Sequence, residues 1–340
     1  MRKRVTMQDI ADALNLSKNS VSQALSGQPG VSEDTRRKVM ETANRLGYRY
    51  NPGGRNRAAG RSRNIGLIAS EFVFSEHIFF GAINLSIEKE VKARGYSLLI
   101  HAVDKQSEER QEFAPFVQEN KVDGLLILSH LHPDYIQQII QLGVPTVLID
   151  HHHPSIKADC ILTNNRFGAY EAVRHLVELG HREIGFIGNI KTSPSYQERL
   201  EGYRLAMADY GLLIREDFLF LDSVDTEEAI ARFIESKPVG PSAWFCVNDT
   251  LGFLLNSCLT KLGKRVPQDV SICGFDNHLL SELASPPLTT IHIDKEYFGK
   301  RAVDRLFWRM DHRDAPVEEI LLPVSLLARG STAKPQSTRS

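Results

Sequence analysis

The chain has 340 residues, 42% of them hydrophobic and 24% charged, a composition that predicts globular domains with a substantial core. No run of about 18 apolar residues is present, and the basic N-terminus lacks the apolar stretch of a secretory signal, so we expect a cytoplasmic protein without a membrane span. The four cysteines are scattered with no Cys-x-x-Cys pair, which predicts buried thiols rather than disulfides or zinc ligands.

The net charge of −1 is divided unevenly along the chain. Residues 1–63 contain 13 Lys and Arg against 5 Asp and Glu, a net charge of +8, whereas the remainder carries −9. A basic first fifth on an acidic body predicts a polyanion-binding module attached to a second functional unit. A solvated basic arm is the alternative interpretation of the charge alone.

Three short helices are predicted within the first fifty residues. Thr6 is placed to cap the first helix, with Asp9 three residues further on. Ser17 can cap the second helix, and the third begins after Ser32 and ends at Gly47. Helical spacing predicts that one face of each helix packs inward. The inward residues are Met7, Ile10, Ala11, Leu14, Val21, Ala24, Leu25, Val39, Ala43 and Leu46.

The first two helices, joined by a short turn, have the pattern of a helix-turn-helix motif. The second helix would enter the major groove of DNA, where Lys18 can donate to guanine and Asn19 or Gln23 can pair with adenine. The hydroxyls of Ser20 and Ser22, with the backbone N–H groups of the first turn, suit phosphates. A generic three-helix bundle with a solvated polar face is the alternative, and the charge of +8 argues against it.

Residues 51–64 differ from both neighbouring regions, because they carry four arginines, three glycines and one proline but no large apolar side chain. From residue 65 to about 330, short apolar runs alternate with helical periods. The predicted helices are 79–94, 108–120, 166–179, 197–210, 226–236 and 249–262. This alternation predicts βαβ units with parallel sheets, and about ten strands suit two sub-domains better than one sheet.

Polar residues follow many of these predicted strands, and ligands of open α/β sheets bind at the carboxyl ends of strands. Carboxylates and amides dominate this set, which suits a polyhydroxylated ligand, although each residue could instead cap the next helix. The residues are Ser70, Glu71, Asp104, Ser129, His130, Asp150, His151, Asn164, Asn165, Asn189, Asn248, Asp249, Asp276, Asn277 and Asp294.

The stretch VTMQDIADALNLSKNSVSQALSG, followed by VSEDTRRKVMETANRLGY, resembles the DNA-binding domain of LacI/GalR-type bacterial transcription regulators, and the similarity continues through almost the whole chain. The resemblance implies a dimer with two DNA-binding heads, a hinge and an effector-binding core. This sequence departs from the family pattern at Ser20, where Thr is usual, and at Gln23, where Arg is common. The operator sequence therefore cannot be copied from a relative.

The fold class predicted is an all-α helix-turn-helix head followed by an α/β core of two lobes, like the periplasmic binding proteins, with parallel sheets. The polar C-terminal tail is expected to be disordered. The predicted boundaries are 1–50 for the head, 51–64 for the hinge, 65–330 for the effector-binding and dimerisation core, and 331–340 for the tail. Within the core, the first lobe covers about 65–161 and 293–321, and the second covers 164–290 and 323–330.

The resemblance also assigns residues to an effector pocket between the lobes. Arg199 matches an arginine that often grips the effector in relatives, and Ser193 lies with Ser195 in the preceding loop. Phe80 could instead be a core residue, and Trp244 and Phe245 must face opposite sides of one strand. The effector-binding residues predicted are Phe80, Asp150, Ser195, Arg199, Phe245, Asn248 and Asp276.

In relatives, the hinge segment folds into a short helix on DNA and inserts a leucine into the minor groove; here Arg57 occupies the leucine position. Two adjacent glycines cost a helix about 1 kcal/mol each, so this hinge helix should be marginal. Arginine in a narrow minor groove is a physical substitute for the apolar wedge. The DNA-binding residues predicted are Thr6, Ser17, Lys18, Asn19, Ser20, Ser22, Gln23, Asn51, Arg55 and Arg57.

Other functions find weaker support in the sequence. The three successive histidines His151, His152 and His153 point to alternating sides of an extended chain, so we predict no metal site and no cofactor. No GxSxG, HExxH or GxxxxGK[ST] motif is present, and we predict no enzyme activity. The alternatives are a sugar-binding protein without a DNA role and a sugar- or nucleotide-processing enzyme.

The function predicted is a homodimeric repressor of a pseudo-palindromic operator in double-stranded DNA, controlled by a small effector and without membrane association. A sugar or glycoside is the first candidate effector, and a purine or nucleoside is the second, favoured if Phe80 and Phe245 sandwich a ring. Induction and co-repression are both compatible with these residues.

Overall fold

The computed structural model describes residues 6–25, 30–46, 62–71, 73, 77–128, 131–237 and 239–336. Clustering of contacts divides the chain into two compact units, Met1–Arg63 and Asn64–Ser340. Several predicted features lie outside the described residues: the helix end at Gly47, the hinge contacts Asn51, Arg55 and Arg57, and the strand end at Ser129 and His130. No helix in the described ranges is long and apolar enough to cross a membrane.

The first unit contains helices α1 (Met7–Leu14), α2 (Lys18–Leu25) and α3 (Glu33–Leu46). A capping box begins α1, because Thr6 Oγ1 accepts from the Asp9 N–H at 3.4 Å and the Asp9 carboxylate accepts from the Thr6 N–H at 2.6 Å. Asn15 ends α1 in the left-handed conformation, with φ 53°. The ten residues predicted to pack inward form the core of this unit, which confirms the helical spacing read from the sequence.

The second unit contains two six-stranded sheets, each at the centre of one lobe. The first lobe has the order β11-β5-β4-β3-β1-β2, with strands Asn64–Ser70 (β1), Ser97–Val103 (β2), Gly124–Leu128 (β3), Thr146–Ile149 (β4), Asp159–Thr163 (β5) and Glu319–Leu322 (β11). The second has the order β12-β10-β9-β8-β6-β7, with strands Ile184–Ile187 (β6), Leu219–Phe220 (β7), Ala243–Cys246 (β8), Ser271–Asp276 (β9), Thr289–Ile293 (β10) and Val324–Leu327 (β12).

Helices flank the sheets, as expected for βαβ units whose strands are buried on both faces. The first lobe carries α4 (His77–Ala93), α5 (Lys105–Glu109), α6 (Pro115–Gln118), α7 (Pro133–Gln141) and α13 (Lys295–Asp311). The second carries α8 (Asn165–Leu179), α9 (Pro194–Asp209), α10 (Glu227–Glu235), α11 (Asp249–Lys261) and α12 (Leu279–Leu283), with a 3₁₀ turn at Glu216–Phe218.

Three details of the core differ from the sequence prediction. The helix predicted at 108–120 is two short helices, α5 and α6, because Gln111 adopts φ 58° and Pro115 begins a new helix. The sheets are not wholly parallel, since β12 runs antiparallel to β10. The polar tail is ordered at its start: Ser331 is fully buried and its hydroxyl donates to the Ile272 carbonyl at 2.6 Å. Residues 337–340 lie beyond the described part of the chain.

The chain crosses between the lobes three times. The connections run from β5 to α8, from β10 to α13 and from β11 to β12. The carboxyl ends of the central strands carry polar residues, including Asp150 directly after β4 and Asp276 at the end of β9. A crevice at such strand ends is where open α/β sheets bind ligands.

Candidate functional site

A cavity lies between the two lobes at these strand ends. Six of the seven predicted effector residues line it: Phe80, Asp150, Ser195, Arg199, Asn248 and Asp276. The remaining lining residues are Phe79, Thr192, Ser193, Tyr196, Asp225, Thr250 and His278. The lining therefore combines carboxylates, hydroxyls, an amide and one guanidinium with aromatic rings, a mixture that can hydrogen-bond a polar ligand and pack against its apolar face.

Arg199 lies at the centre of the polar wall, and only 2% of its surface is exposed. Helix α9 presents its guanidinium, whose Nη2 lies 3.0 Å from Asp276 Oδ1. Its Nε donates to Asn165 Oδ1 at 2.9 Å, and its Nη1 donates to the Val247 carbonyl at 2.6 Å. The guanidinium also stacks 3.7 Å above the ring of Phe275. Because the protein holds this group on several sides, Arg199 is fixed in place before any ligand binds.

Both wall aspartates have an uncommon backbone conformation. Asp276 has φ 101° and Asp150 has φ 52°, values in the left-handed region that non-glycine residues rarely adopt. Such strain persists only where the surrounding structure enforces it, and it is concentrated at functional sites. The Asp276 Oδ1 atom is buried and makes no hydrogen bond of good geometry with the described part of the chain, although it lies 3.0 Å from Arg199. It therefore retains capacity to accept from a ligand donor.

A hydrogen bond joins the lobes at Asp150. The Ser195 hydroxyl, at the start of α9 in the second lobe, donates to Asp150 Oδ1 at 3.0 Å. Burial raises the pKa of the Asp150 carboxyl to about 7, while Arg199 and Ser195 act to lower it. Near neutral pH this carboxyl can therefore be present in both its charged and its protonated form.

A second polar contact joins the lobes two residues further on. His152 Nε2 in the first lobe lies 3.2 Å from Glu198 Oε1, one helical turn after Ser195 on α9. The Glu198 hydrogen bond raises the pKa of His152, although burial opposes it. Glu198 also accepts from Asn165 at 2.9 Å and pairs with Arg166 at 3.0 Å. Protonated His152 thus pairs with a carboxylate held by the other lobe.

Helix starts position the remaining polar groups of the second lobe. Asn248 caps α11 by accepting from the Leu251 N–H at 2.8 Å, and its amide donates to the Tyr196 hydroxyl at 2.7 Å. Ser193 caps α9. His278 Nδ1 accepts from the Leu280 N–H at 3.2 Å, so Nε2 carries the proton and faces the Thr250 hydroxyl at 3.3 Å.

The prediction that Phe245 binds the effector is wrong, because this residue packs in the core and does not line the cavity. It is fully buried in β8, with its ring centroid 5.7 Å from that of Phe186 and 6.5 Å from that of Phe275. Trp244 contacts other rings, those of Phe218 and Phe233, as expected for the opposite face of the strand. Helices cover both faces of this central strand, so a side chain in its middle is enclosed by the core.

Phe80 does line the cavity, and its ring packs edge-on against that of Phe79 at 4.9 Å. Sequence reasoning missed Phe79, Thr192, Tyr196, Asp225, Thr250 and His278 as lining residues. Three of them, Phe79, Tyr196 and Thr250, lie on the first turn of a helix beside a predicted position. The first-turn geometry of α9 and α11 was the signal that could have found Tyr196 and Thr250.

Several of the polar residues at strand ends cap the following helix, which is the alternative role considered for them. Asp104, Asn164 and Asp294 accept N–H hydrogen bonds at the starts of α5, α8 and α13. None of the three is among the cavity-lining residues. Asn248 combines both roles, since it caps α11 and also lines the cavity.

The three successive histidines have three different environments. His151 is buried, and this burial lowers its pKa to about 4, so it is neutral. His152 contacts Glu198, whereas His153 Nδ1 lies 2.7 Å from the Ser155 hydroxyl in its own loop. Within the described ranges, no group of three or more His, Cys, Asp or Glu side chains could hold a metal ion.

Helix α2 supplies the candidate DNA-contacting surface of the first unit. Ser17 accepts from the Ser20 N–H at 3.0 Å, and their hydroxyls lie 2.8 Å apart, so the helix start is fixed. Lys18 and Asn19 in the first turn are exposed. Gln23 lies beside Gly30: a Cβ added at Gly30 would be 3.1 Å from the Oε1 atom of Gln23. Thr6 and Ser17 are exposed, whereas Ser22 and Gln23 are partly buried.

Comparison with known proteins agrees with this architecture. The family model of bacterial regulatory proteins, lacI family, matches residues 6–51, and that of the periplasmic binding protein-like domain matches residues 173–332. The HTH-type transcriptional repressor PurR of Vibrio cholerae serotype O1 is 30% identical over 313 residues, which cover 91% of this chain and 92% of that protein.

Two solved structures extend the comparison. The lac repressor dimer bound to operator and the anti-inducer ONPF is 25% identical, with a TM-score of 0.82 over 97% of this chain and 100% of that one. The complex of the transcriptional regulator CelR with cellobiose is 26% identical, with a TM-score of 0.72 over 96% of this chain and 100% of that one. The protein is a DNA-binding transcriptional regulator and belongs to the lacI family of bacterial regulatory proteins.

Proposed function

We propose that this protein is a homodimeric transcriptional repressor whose affinity for a pseudo-palindromic operator is set by a carbohydrate bound between the lobes. The observation that carries the proposal is the arrangement of Asp150 on one wall of the cavity and the Arg199–Asp276 pair on the other. Carboxylates accept from sugar hydroxyls and a guanidinium donates to sugar oxygens, so the walls can bind one polyol from both sides.

The aromatic residues fit the same ligand. Phe79 and Phe80 come from the first lobe and offer an apolar surface beside the polar walls. Phe245 is enclosed in the core, so Phe80 and Phe245 do not form the predicted sandwich around a planar ring. The cellobiose bound to the similar regulator CelR supports a carbohydrate further.

A purine or nucleoside is the second candidate effector. The similarity to repressors named PurR, at 30% identity over most of the chain, favours it. Tyr196 adds a second-lobe aromatic to the lining, but its hydroxyl accepts from Asn248 and its ring centroid lies 5.5 Å from the Arg199 guanidinium carbon. A planar base would therefore have to displace these contacts in order to stack on that ring.

On DNA, α2 would enter the major groove with Lys18, Asn19 and Gln23 towards the bases and the nearby serines towards phosphates. A dimer would place two such helices in successive grooves of the operator. Arg55 and Arg57 of the hinge would contact the minor groove in place of an apolar wedge. We therefore assign the protein a cytoplasmic, DNA-associated role without catalysis.

Effector control would act through polar contacts that join the lobes. Ser195–Asp150 and His152–Glu198 join the lobes in this structure, and a ligand held by both walls would favour the same closed arrangement. Closure would reorient the first lobes of the two protomers and so alter the operator affinity of the heads. A ligand has this effect only to the extent that it binds one state more tightly than the other.

The effector class can be tested by titrating one labelled operator fragment with the protein in the presence of cellobiose, ribose, glucose 6-phosphate or hypoxanthine. A neutral carbohydrate is expected to shift the operator Kd by about fivefold or more, since allosteric coupling is typically worth 1–3 kcal/mol. A response to hypoxanthine alone would replace the carbohydrate by the second candidate. Unchanged operator affinity with every compound of a broad panel would contradict effector control.

A further inference from the structure

Two consecutive residues at the end of β9 form a strained corner beside the cavity. Asp276 has φ 101° and Asn277 has φ 50°, so two non-glycine residues in succession occupy the left-handed region. Each such residue costs about 1–3 kcal/mol unless neighbouring groups compensate for it. The corner matters because it directs the Asp276 carboxylate towards Arg199, 3.0 Å away.

The ammonium group of Lys295 binds the backbone of this corner. Its Nζ donates to the Asp276 carbonyl at 2.5 Å, to the Asn277 carbonyl at 3.0 Å and to the Ile293 carbonyl at 3.4 Å. These three acceptors match the three N–H donors of an ammonium group. Lys295 is the first residue of α13, which packs against the first lobe, whereas the corner belongs to the second.

Lys295 also lies close to the other wall of the cavity. Its Nζ is 5.6 Å from the ring centroid of Phe79, a first-lobe residue that lines the cavity. Burial lowers the pKa of the lysine, while the carboxylates of Asp276, Asp249 and Asp294 act in the opposite direction. Because three carbonyl oxygens surround Nζ, the amine group has little freedom to leave these acceptors.

Other contacts at the corner hold different atoms. Arg329 Nη2 donates to Asn277 Oδ1 at 2.7 Å, and the Asn277 amide lies 2.9 Å from His292 Nδ1. The N–H of His278, the next residue, donates to the Asp249 carboxylate at 3.0 Å. These bonds fix the side chain of Asn277 and the chain that follows, whereas Lys295 binds the two carbonyls that the left-handed conformation turns towards it.

We propose that Lys295 is a positioning residue for the effector site: its ammonium holds the carbonyls of residues 276 and 277 and thereby aims the Asp276 carboxylate at Arg199. The role in effector response rests on the proposed function above, but the positioning itself does not. Without the ammonium, the corner would relax towards ordinary φ values, and the Asp276–Arg199 pair would lengthen or rotate. Lys295 would also connect the first-lobe helix α13 to the polar wall of the second lobe.

The test compares Lys295→Met with Lys89→Met in the full-length protein without effector or DNA. Methionine retains the length of the lysine stem but removes the charge and all three donors. Lys89 is the control, because it is an exposed lysine that contacts the same end of α13 through Glu296 at 2.7 Å. The readout is the side-chain ¹⁵N–¹H NMR signal of Arg199 Nη2, the group that faces Asp276, assigned by its loss in Arg199→Lys.

In Lys295→Met, we expect the Arg199 Nη2–H signal to move towards those of exposed arginines and its exchange with water to accelerate at least tenfold. In Lys89→Met, the signal should stay in place. An unchanged signal in folded Lys295→Met would overturn the proposal. If that variant does not fold, Lys295→Gln takes its place, with a smaller change of the same sign expected and an unchanged signal again decisive. Operator titrations can fail independently of this result, so the two proposals are separately testable.

Discussion

Two ionisable side chains, Arg199 and Asp276, determine the character of the cavity. Both are more than nine-tenths buried, and each depends on the other for compensation of its charge. Removing one partner of a buried ion pair is much more costly than replacing both, because the remaining charge is left without its counterion. The pair is therefore expected to contribute to the stability of the second lobe as well as to ligand binding.

Truncation of Arg199 tests this double role. Arg199→Ala should lower the free energy of unfolding of the core by about 3–5 kcal/mol, because it leaves Asp276 buried and unpaired. Arg204→Ala is the matched control, since Arg204 lies on the same helix and is exposed. Urea denaturation followed by circular dichroism measures both variants. Equal stabilities would show that Arg199 does not stabilise the lobe.

The pKa shifts of Asp150 and His152 predict a pH-dependent closure of the lobes. Both pKa values are raised in this structure, by burial for Asp150, whose value is about 7, and by the Glu198 hydrogen bond for His152. The closed form therefore binds protons that an open form would release, and closure gains free energy as the pH falls through the raised values. Lowering the pH from 8 to 6 should favour closure, by at most about tenfold per pH unit for each proton.

Energy transfer between dyes on introduced surface cysteines, one in each lobe, measures this closure, because the four native cysteines are buried. Asp150→Asn and His152→Gln should each flatten the pH dependence. His153→Gln is the control, because His153 contacts Ser155 within its own loop. A pH dependence that survives in the double variant Asp150→Asn/His152→Gln would assign it to other groups.

At the scale of elements, the sequence predicted the type of most helices and strands, because strongly periodic apolar patterns determine them. The inward faces of α1, α2 and α3 were identified to the residue. The prediction was wrong where a local backbone feature outweighed the pattern, as at Gln111, whose left-handed conformation separates α5 from α6. It was also wrong for Phe245, because an apolar residue on a central strand has the same pattern whether it lines a cavity or the core.

Contacts between distant segments account for most of what the sequence did not predict. The hydrogen bonds of Lys295 to the end of β9 and of His152 to Glu198 join residues far apart in the chain. No local spacing encodes such contacts, since they depend on how the lobes pack. Among the six predicted residues that line the cavity, Asp150, Asn248 and Asp276 were found both as strand ends and by the family resemblance. The other three were found by the resemblance alone: Phe80, Ser195 and Arg199.

Two mid-helix glycines provide a test of helix packing. A Cβ added at Gly202 in α9 would lie 2.2 Å from the Arg166 carbonyl of α8, so Gly202→Ala should separate these helices and destabilise the core by about 1–3 kcal/mol. At Gly81 in α4, no atom of the described residues lies within 4 Å of such a Cβ. Gly81→Ala should therefore stabilise by up to about 1 kcal/mol, through helix propensity. Thermal unfolding of both variants gives the two signs, and the same sign for both would refute the packing argument.

The hinge residue Arg57, which lies outside the described residues, is tested through the salt dependence of operator binding. If Arg57 contacts phosphates beside the minor groove, Arg57→Ala should reduce the slope of log K against log salt by about 0.9 per contact, or about two for a dimer. Operator titrations at several salt concentrations measure the slope. An unchanged affinity and slope would make the segment a tether without DNA contact.

At the scale of the whole molecule, a basic helical head and an acidic two-lobed core act as separate compact units of one chain. The division of charge suits these roles. The positive head is attracted to the polyanionic DNA, whereas the negative core is repelled by it and does not bind DNA in place of the head. Effector control requires that ligand binding in the core and operator binding by the head be thermodynamically coupled. Such coupling is reciprocal, so each ligand changes the affinity of the other by the same factor.

Calorimetric titration of the effector into the free protein and into the protein–operator complex measures this coupling directly. We expect the effector Kd to differ between the two by about five- to 150-fold, the range typical of allosteric coupling. The operator Kd should change by the same factor when the effector is saturating. An effector that binds in the cavity with equal affinity in both titrations would contradict the central claim that the cavity controls DNA binding.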